Sequence, residues 1–241
     1  MKVVLVGYGK MGKEIEIILL SRGHKVVGKA TEDEPLNKAM IDNADVAIDF
    51  STPHSVLNNI DFLLHNNIPT VVGTTGWNEA YSKVEKNVNE NNGALVHASN
   101  FSIGVNLFFK LNEQLAKLME PYKGYTPSIT EIHHTEKLDA PSGTAISLAN
   151  GLIDNYNQLT EWYCPQSEHN AEETTALKIE AIREHDVKGT HRIDYISEID
   201  TLSIQHEAHN RTGFALGAVI AAEWIQNKKG IFTMKDVLQL S

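Results

Sequence analysis

The chain has 241 residues, with 21 Lys and Arg against 31 Asp and Glu, and a formal charge of −10 at pH 7. That balance argues against nucleic acid or an anionic membrane as the main partner, and 41% hydrophobic content is enough for a sizeable core that can split into two domains. Cys164 is the single cysteine, so internal disulfides are excluded; with no signal peptide before the first strand and no apolar run near the ~20 residues of a membrane span, a cytoplasmic protein is expected.

The chain opens on an apolar strand, Lys2 to Val6, followed by Gly7-Tyr8-Gly9-Lys10-Met11-Gly12 and a helical run from Lys13 to Ser21. Strand, G-x-G-x-x-G and helix in that order form the context of a dinucleotide-binding turn. In it Gly7 makes the turn, Gly9 lets the backbone approach a pyrophosphate, and Gly12 allows close helix–strand packing. A second strand, Lys25 to Ala30, leads to Glu32, Asp33 and Glu34, roughly 20 residues on, where an acid holds the adenine ribose. Strands at Val46–Phe50, Thr70–Gly73 and Ala94–His97 alternate with helices at Ser55–His65 and Glu79–Asn91, which predicts a parallel sheet with right-handed crossovers. Polar turns follow three of these strands: Ser51-Thr52-Pro53, Gly73-Thr74-Thr75-Gly76, and Ser99-Asn100-Phe101-Ser102. Each is placed to line a cofactor, although each alone is also ordinary turn chemistry.

The organisation changes near Ser102. Ile129 to Ile132 alternates like a strand, Thr144 to Leu152 like a helix, and three long strands follow at Ala176–Glu184, Gly189–Glu198 and Thr201–Ala208. They predict an antiparallel or mixed sheet with exposed edges, suited to pairing with another subunit. Residues 157 to 175 read as a polar surface excursion. Phe214 to Ile225 is an apolar helix, with Ala215, Ala218, Val219, Ala222 and Ile225 on its buried side, that returns to the nucleotide-binding sheet. The expected class is α/β: a Rossmann-like parallel-sheet domain (1–101 and 211–241) plus a second α+β domain with a mixed sheet (102–210).

Between strand and helix in that second domain lies the densest chemistry of the chain, Glu131-Ile132-His133-His134-Thr135-Glu136-Lys137-Leu138-Asp139-Ala140-Pro141-Ser142-Gly143-Thr144-Ala145. Two histidines offer protons and Lys137 offers fixed charge. Ser142 or Thr144 can cap a helix whose first amides, at Gly143, Thr144 and Ala145, point at an anion. Lys137 and Arg211 supply the local positive charge that an anionic substrate needs on an acidic chain. A dicarboxylate suits this set better than a phosphate, because no Gly-Lys-Ser or Gly-Lys-Thr loop is present. Asp139 either orients Lys137 or stabilises the turn, and the turn is the favoured reading. No metal is expected: Cys164 has no partner, and the adjacent His133 and His134 point to opposite faces of a strand.

These strings resemble the 4-hydroxy-tetrahydrodipicolinate (dihydrodipicolinate) reductase family of diaminopimelate and lysine synthesis. The likeness runs end to end, through the glycine turn, Asp49-Phe50-Ser51, Gly73-Thr74-Thr75-Gly76, Asn100 to Asn106, the Glu131–Ala145 segment and Arg211 with Phe214-Ala215 and Gly217-Ala218. The resemblance implies NADH and/or NADPH as cofactor, a small dicarboxylate as substrate, and a homotetramer built through the second domain's sheet. It implies proton handling by His133 with Lys137 as catalytic partner. Substrate carboxylates fall to His134, Gly143 and Thr144, with Ser142 and Arg211 alongside. The cofactor falls to Gly7, Tyr8, Gly9, Lys10, Met11, Gly12, Glu32, Asp33, Gly73, Thr74, Thr75, Ser99, Asn100, Phe101 and Ser102. Asp33 stands where some relatives place an arginine for the 2′-phosphate, which weakens an expectation of NADPH preference. Two other readings stay open: another two-domain nicotinamide-dependent dehydrogenase, such as one acting on amino-acid semialdehydes, or a non-catalytic dinucleotide sensor.

Overall fold

A computed structural model describes residues 1–167 and 175–240. In chain order the first elements are β1 (Lys2–Val6), α1 (Lys10–Ser21), β2 (Lys25–Ala30), α2 (Lys38–Ile41), β3 (Val46–Asp49), α3 (Val56–His65), β4 (Thr70–Val72), α4 (Tyr81–Glu90) and β5 (Ala94–His97). There follow α5 (Ile103–Met119), β6 (Thr126–His133), α6 (Gly143–Ile153), β7 (Glu161–Tyr163), β8 (Ala176–Arg183), β9 (Thr190–Ile196) and β10 (Thr201–Glu207). The chain closes with α7 (Thr212–Trp224), β11 (Gly230–Phe232) and α8 (Met234–Val237). It forms two compact units, Met1–Ile103 with Arg211–Ser241, and Gly104–Asn210.

The first unit is a six-stranded sheet in the order β11-β5-β4-β3-β1-β2, parallel throughout. Its central strands β1, β3, β4 and β5 are buried on both faces, as is usual in parallel sheets, while the edge strands β2 and β11 are partly exposed. In β1, Val3 and Leu5 pack with Ile15 and Leu19 of α1 and with Ala218 and Val219 of α7, while Val4 and Val6 face Ile41 and Leu63. The strand order reverses direction around β1, with β2 on one side and β3 on the other. The carboxyl ends of these three strands therefore open a crevice, the usual ligand position in such sheets.

The second unit is a five-stranded mixed sheet, β10-β9-β6-β8-β7; β6, β8, β7 and β10 run in one direction, and β9, between β10 and β6, runs antiparallel to both neighbours. Its inner face carries Ile129, Leu177, Ile179, Ile193 and Tyr195, packed with Leu148 and Leu152 of α6 and Phe108 of α5. Full burial of such aliphatic side chains contributes roughly 1.5–3 kcal/mol each.

The α/β class and both sheet types are as expected from the sequence. The structure corrects three details. The stretch 157 to 175 is not merely an excursion, because Glu161–Tyr163 adds a strand to the sheet; residues 168–174 lie outside the described residues. Strand β11 adds a sixth member to the first sheet. Helix α5 had no counterpart in the sequence reading. Its buried side carries Asn106 and Asn112 while Leu107, Leu111 and Leu118 are exposed, which blurs the apolar periodicity. Asn112 donates from Nδ2 to the Leu148 carbonyl at 2.8 Å.

Candidate active site

The inner face of the second sheet changes character at one end. Along β6 it runs Pro127, Ile129, Glu131, His133; β8 ends that row with Arg183 and β9 begins it with His191. The register places Arg183 opposite His133 and His191 opposite Glu131. An apolar face thus terminates in a cluster of one carboxylate, two imidazoles and one guanidinium.

Glu131 is fully buried at the centre of that cluster. Its Oε1 accepts from the Ser142 amide at 3.1 Å and from Arg183 Nη2 at 3.1 Å. Its Oε2 faces His133 Nδ1 at 3.0 Å and His191 Nε2 at 3.8 Å. Burial alone would raise the pKa of Glu131, but the close His133 ring, the Ser142 amide and the Arg183 guanidinium overcome it and hold the carboxyl at about 2. His191 stacks edge-on against His133, ring centres 5.1 Å apart. Burial, then the neighbouring His133, pushes His191 down to about 4, so it stays neutral near pH 7. The Oε2, Nδ1 and Nε2 atoms lie within 4.8 Å of one another, a spacing open to a cation. Arg183 already supplies positive charge to the same carboxylate, which disfavours one.

The His-rich loop is tied to this cluster. Arg183 donates to the backbone carbonyl of Asp139 at 2.6 Å and to that of Lys137 at 3.3 Å. Lys137 Nζ sits on both Asp139 oxygens, at 2.8 and 2.9 Å. Asp139 therefore holds Lys137, a correction of the reading that gave it the turn alone. His134 follows the strand on the opposite face from His133 and is half-buried. Ser142 is the N-cap of α6: its Oγ accepts from the Ala145 amide at 3.2 Å and meets His191 Nε2 at 3.2 Å. Its polar atoms are thus engaged within the protein. Gly143 is exposed and Thr144 half-buried at the start of the same helix. Arg211 is exposed and caps α7 in the first unit.

In the first unit, a cavity of about 320 Å³ is lined by Val6, Gly7, Thr31, Glu32, Ser51 and Thr52, at the ends of β1, β2 and β3. Gly7 has φ +89°, and a Cβ there would meet the Phe50 carbonyl oxygen at 2.3 Å. At Gly12 a Cβ would meet the Gly7 carbonyl at 2.5 Å, whereas beside Gly9 nothing lies within 4 Å. Helix α1 begins with no side-chain cap and no acid in its first turn. The turn is thus close-packed where helix meets strand and open where an anion would lie, which fits a dinucleotide. Lys10 is exposed at the helix start and Met11 packs on the core. The Tyr8 hydroxyl bonds to Glu16, and Lys29 lies over the Tyr8 ring. Asp33 is exposed next to Glu32. Buried Asp49 links the strand ends by accepting from Ser51 Oγ, Thr74 Oγ1 and Asn59 Nδ2 at 2.7, 2.7 and 2.9 Å. Thr75 and Ser99 are exposed, Gly73 packs on the Phe50 ring, Asn100 Oδ1 accepts from the Ser102 amide at 2.9 Å, and Ser102 is buried. The Phe101 side chain is core, 2% exposed and against Phe50, so only its backbone is left for a ligand.

Two family models match the chain: Dihydrodipicolinate reductase, N-terminus, over residues 1–101, and Dihydrodipicolinate reductase, C-terminus, over residues 104–238. The chain belongs to the dihydrodipicolinate reductase family. A 4-hydroxy-tetrahydrodipicolinate reductase from Christiangramia forsetii is 45% identical over 238 residues, 99% of this chain and 98% of that one. Among solved structures, a dipicolinate-bound dihydrodipicolinate reductase from Paenisporosarcina sp. TG-14 shares the fold, with TM-score 0.74 and 24% identity over 97% of each chain. An amine dehydrogenase from Mycobacterium smegmatis has TM-score 0.62 and 8% identity, covering 97% of this chain and 95% of its own. As a member of the reductase family, the chain catalyses NADH- or NADPH-dependent reduction of 4-hydroxy-tetrahydrodipicolinate (dihydrodipicolinate) to tetrahydrodipicolinate, in diaminopimelate and lysine synthesis. That sets aside the semialdehyde dehydrogenase and the non-catalytic sensor. Among the described residues no helix is long and apolar enough to cross a membrane.

Sequence reasoning passed over three members of this reductase's cluster. Glu131 was quoted as part of the segment but given no role; its position two residues before His133, on the same strand face, was the available signal. Arg183 and His191 arrive through sheet register from 52 and 49 residues further along the chain than Glu131 and Ser142, respectively. No local pattern marks them.

Proposed function

We propose that the second unit binds the dicarboxylate and hands it a proton, while the first unit binds the dinucleotide. The polar end of the sheet face carries this reading: Glu131, His133, His191 and Arg183 stand together beside the Ser142-capped start of α6. The boundaries 1–101 with 211–241 for the cofactor and 102–210 for the substrate follow the two compact units closely.

In this reading a bound nicotinamide supplies hydride to the conjugated C=C–C=N ring of the substrate. The electron density left on the ring is quenched by His133 as general acid, since an imidazole ordinarily titrates near ~6.5 and suits proton transfer at neutral pH. Lys137, steadied by Asp139, places positive charge where negative charge develops. Gly143 and Thr144 at the helix start, with His134, take the two carboxylates. Ser142 serves by capping the helix and fixing Glu131 rather than by direct contact. On the cofactor side, Gly7, Gly9 and Gly12 admit the pyrophosphate and Glu32 or Asp33 takes the adenine ribose. Tyr8, Lys10, Met11, Gly73, Thr74, Thr75, Ser99, Asn100, Ser102 and the Phe101 backbone line the remainder.

The protein works as a homotetramer in the cytoplasm. The edge strand β10 leaves Leu202 exposed beside exposed Tyr122, which favours burial against another copy. A free thiol at Cys164 suits a reducing compartment.

One coupled assay tests the chemistry: the aldolase product of pyruvate and aspartate semialdehyde is supplied, and NADH and NADPH oxidation is followed. Cofactor oxidation that depends on this product supports the reading; none with either nucleotide overturns it. Light scattering across a dilution series tests the tetramer.

A further inference from the structure

We propose that Glu131 is a positioning residue for the reductase reaction: its Oε2 accepts a hydrogen bond from the Nδ1–H of His133 and so leaves Nε2 as the nitrogen that delivers a proton to the ring. The inference rests on the assignment of His133 as general acid and adds a residue that touches neither substrate nor cofactor.

The geometry has three parts. First, the carboxylate cannot turn. Oε1 is fixed from two sides by the Ser142 amide and Arg183 Nη2, both at 3.1 Å, which aims Oε2 at the histidines. Second, Oε2 and His133 Nδ1 are buried, 3.0 Å apart, and neither has a hydrogen bond to any other group. The pair is at bonding distance but off the ideal line, so a small rotation of the ring aligns it; the other imidazole nitrogen facing Oε2, His191 Nε2, stands farther off at 3.8 Å. Third, glycine at residue 189 leaves space beside the opposite nitrogen. A Cβ there would stand 3.1 Å from His133 Nε2.

A carboxylate on Nδ1 sets the tautomer of a neutral imidazole and stabilises the protonated one, the role of the buried acid in carboxylate–histidine pairs generally. The charged and titratable groups around His133 are Glu131 on its own strand, Arg183 on β8, His191 on β9 and Lys137 from the loop, with His206 beyond His191. Asp139 pairs with Lys137, and Glu131 is the carboxylate that faces the His133 ring. Neutral His191 closes the side of the ring without adding charge, and its contact with Ser142 Oγ ties it to the same capped helix.

The test combines a pH profile with a direct view of the ring. Glu131→Gln keeps the shape and removes the charge; Glu131→Asp keeps the charge. For Glu131→Gln, kcat is expected to fall by about tenfold or more, with substrate KM changed by less than about threefold. The alkaline limb of its kcat profile should move to lower pH by about one unit. Glu131→Asp should keep the limb near the wild-type position even if kcat drops. Nitrogen chemical shifts of histidine-labelled protein, with His133 assigned by its absence in His133→Gln, should show the Nδ1–H tautomer in the wild type and its loss in Glu131→Gln. An unchanged far-ultraviolet circular dichroism spectrum and a cooperative thermal melt show that a variant is folded. A limb and a tautomer both unchanged in folded Glu131→Gln overturn the proposal, as does an Nε2–H tautomer in the wild type. So does a stoichiometric metal in protein purified without chelator, since Oε2 and Nδ1 would then be ligands. The tautomer is read without turnover, so loss of the general-acid assignment alone would leave that measurement standing.

Discussion

Lys137 and Asp139 form a two-point ion pair, the ammonium lying 2.8 and 2.9 Å from the two carboxylate oxygens across a single intervening residue. Arg183 grips the backbone of both residues from below, so the loop that carries the lysine is bound to the sheet that carries His133. With Leu138 between them 97% exposed, the pair holds the lysine in place without burying its neighbour.

Loss of either member of the acid and charge set should therefore be felt in turnover. His133→Gln and Lys137→Ala are each expected to lower kcat by about two orders of magnitude or more, the usual scale of lost acid–base help. Nucleotide affinity should be nearly unchanged, since those contacts belong to the first unit. Steady-state kinetics with a separate binding titration of NADH make the check; near wild-type turnover in both variants contradicts the assignment.

A planar dicarboxylate should occupy the start of α6. 2,6-Pyridinedicarboxylate is expected to compete with substrate, and Thr144→Val to weaken that inhibition by about tenfold, the scale of one lost hydrogen bond to a charged group. Inhibition patterns against each substrate decide it: competition with the nucleotide in place of the substrate would put the carboxylates elsewhere.

What could be read in advance was local. The Gly7–Gly12 turn, the Ser142 cap and the apolar helix with Ala215, Ala218 and Val219 each depend on spacings within one or two turns of chain, and each appears where the spacing put it. What depended on register was not legible. Arg183 and His191 reach Glu131 only because β8 and β9 flank β6, and nothing in their own neighbourhoods marks them as part of a site. Helix α5 was hidden for a different reason: two buried asparagines and three exposed leucines invert the pattern by which a helix is found.

The buried cluster also makes stability depend on pH. His191 has a folded pKa of about 4 and Glu131 one of about 2, both below the ordinary values of 6.5 and 4.5. The unfolded chain therefore binds more protons than the folded one over both windows, so stability falls as pH drops from 6.5 to 4 for His191 and from 4.5 to 2 for Glu131. For His191 the full shift corresponds to at most about 3 kcal/mol. Thermal melts should show Tm declining steadily from pH 6.5 to 4. His191→Asn, which keeps a partner for Ser142, should flatten that decline whatever its absolute Tm. Equal slopes in the two proteins would contradict the assignment.

Cofactor choice turns on the end of β2. A 2′-phosphate needs a cation beside the adenine ribose, most often an arginine. Here Glu32 lines the cavity with Asp33 next to it. Lys29, the nearest cation along the strand, is committed elsewhere: its Nζ lies 2.7 Å from Glu16 Oε1 and 3.2 Å from the Tyr8 hydroxyl. Bringing it to a phosphate would break that ion pair, and two carboxylates beside a dianion are unfavourable. NADH is thus expected to serve at least as well as NADPH, and Asp33→Arg to shift preference toward NADPH. The measurement is the ratio of kcat/KM for the two nucleotides at low salt, where charge effects are least screened. A wild-type preference for NADPH beyond about tenfold, roughly 1.4 kcal/mol, would mean that Lys29 leaves Glu16 when the nucleotide binds.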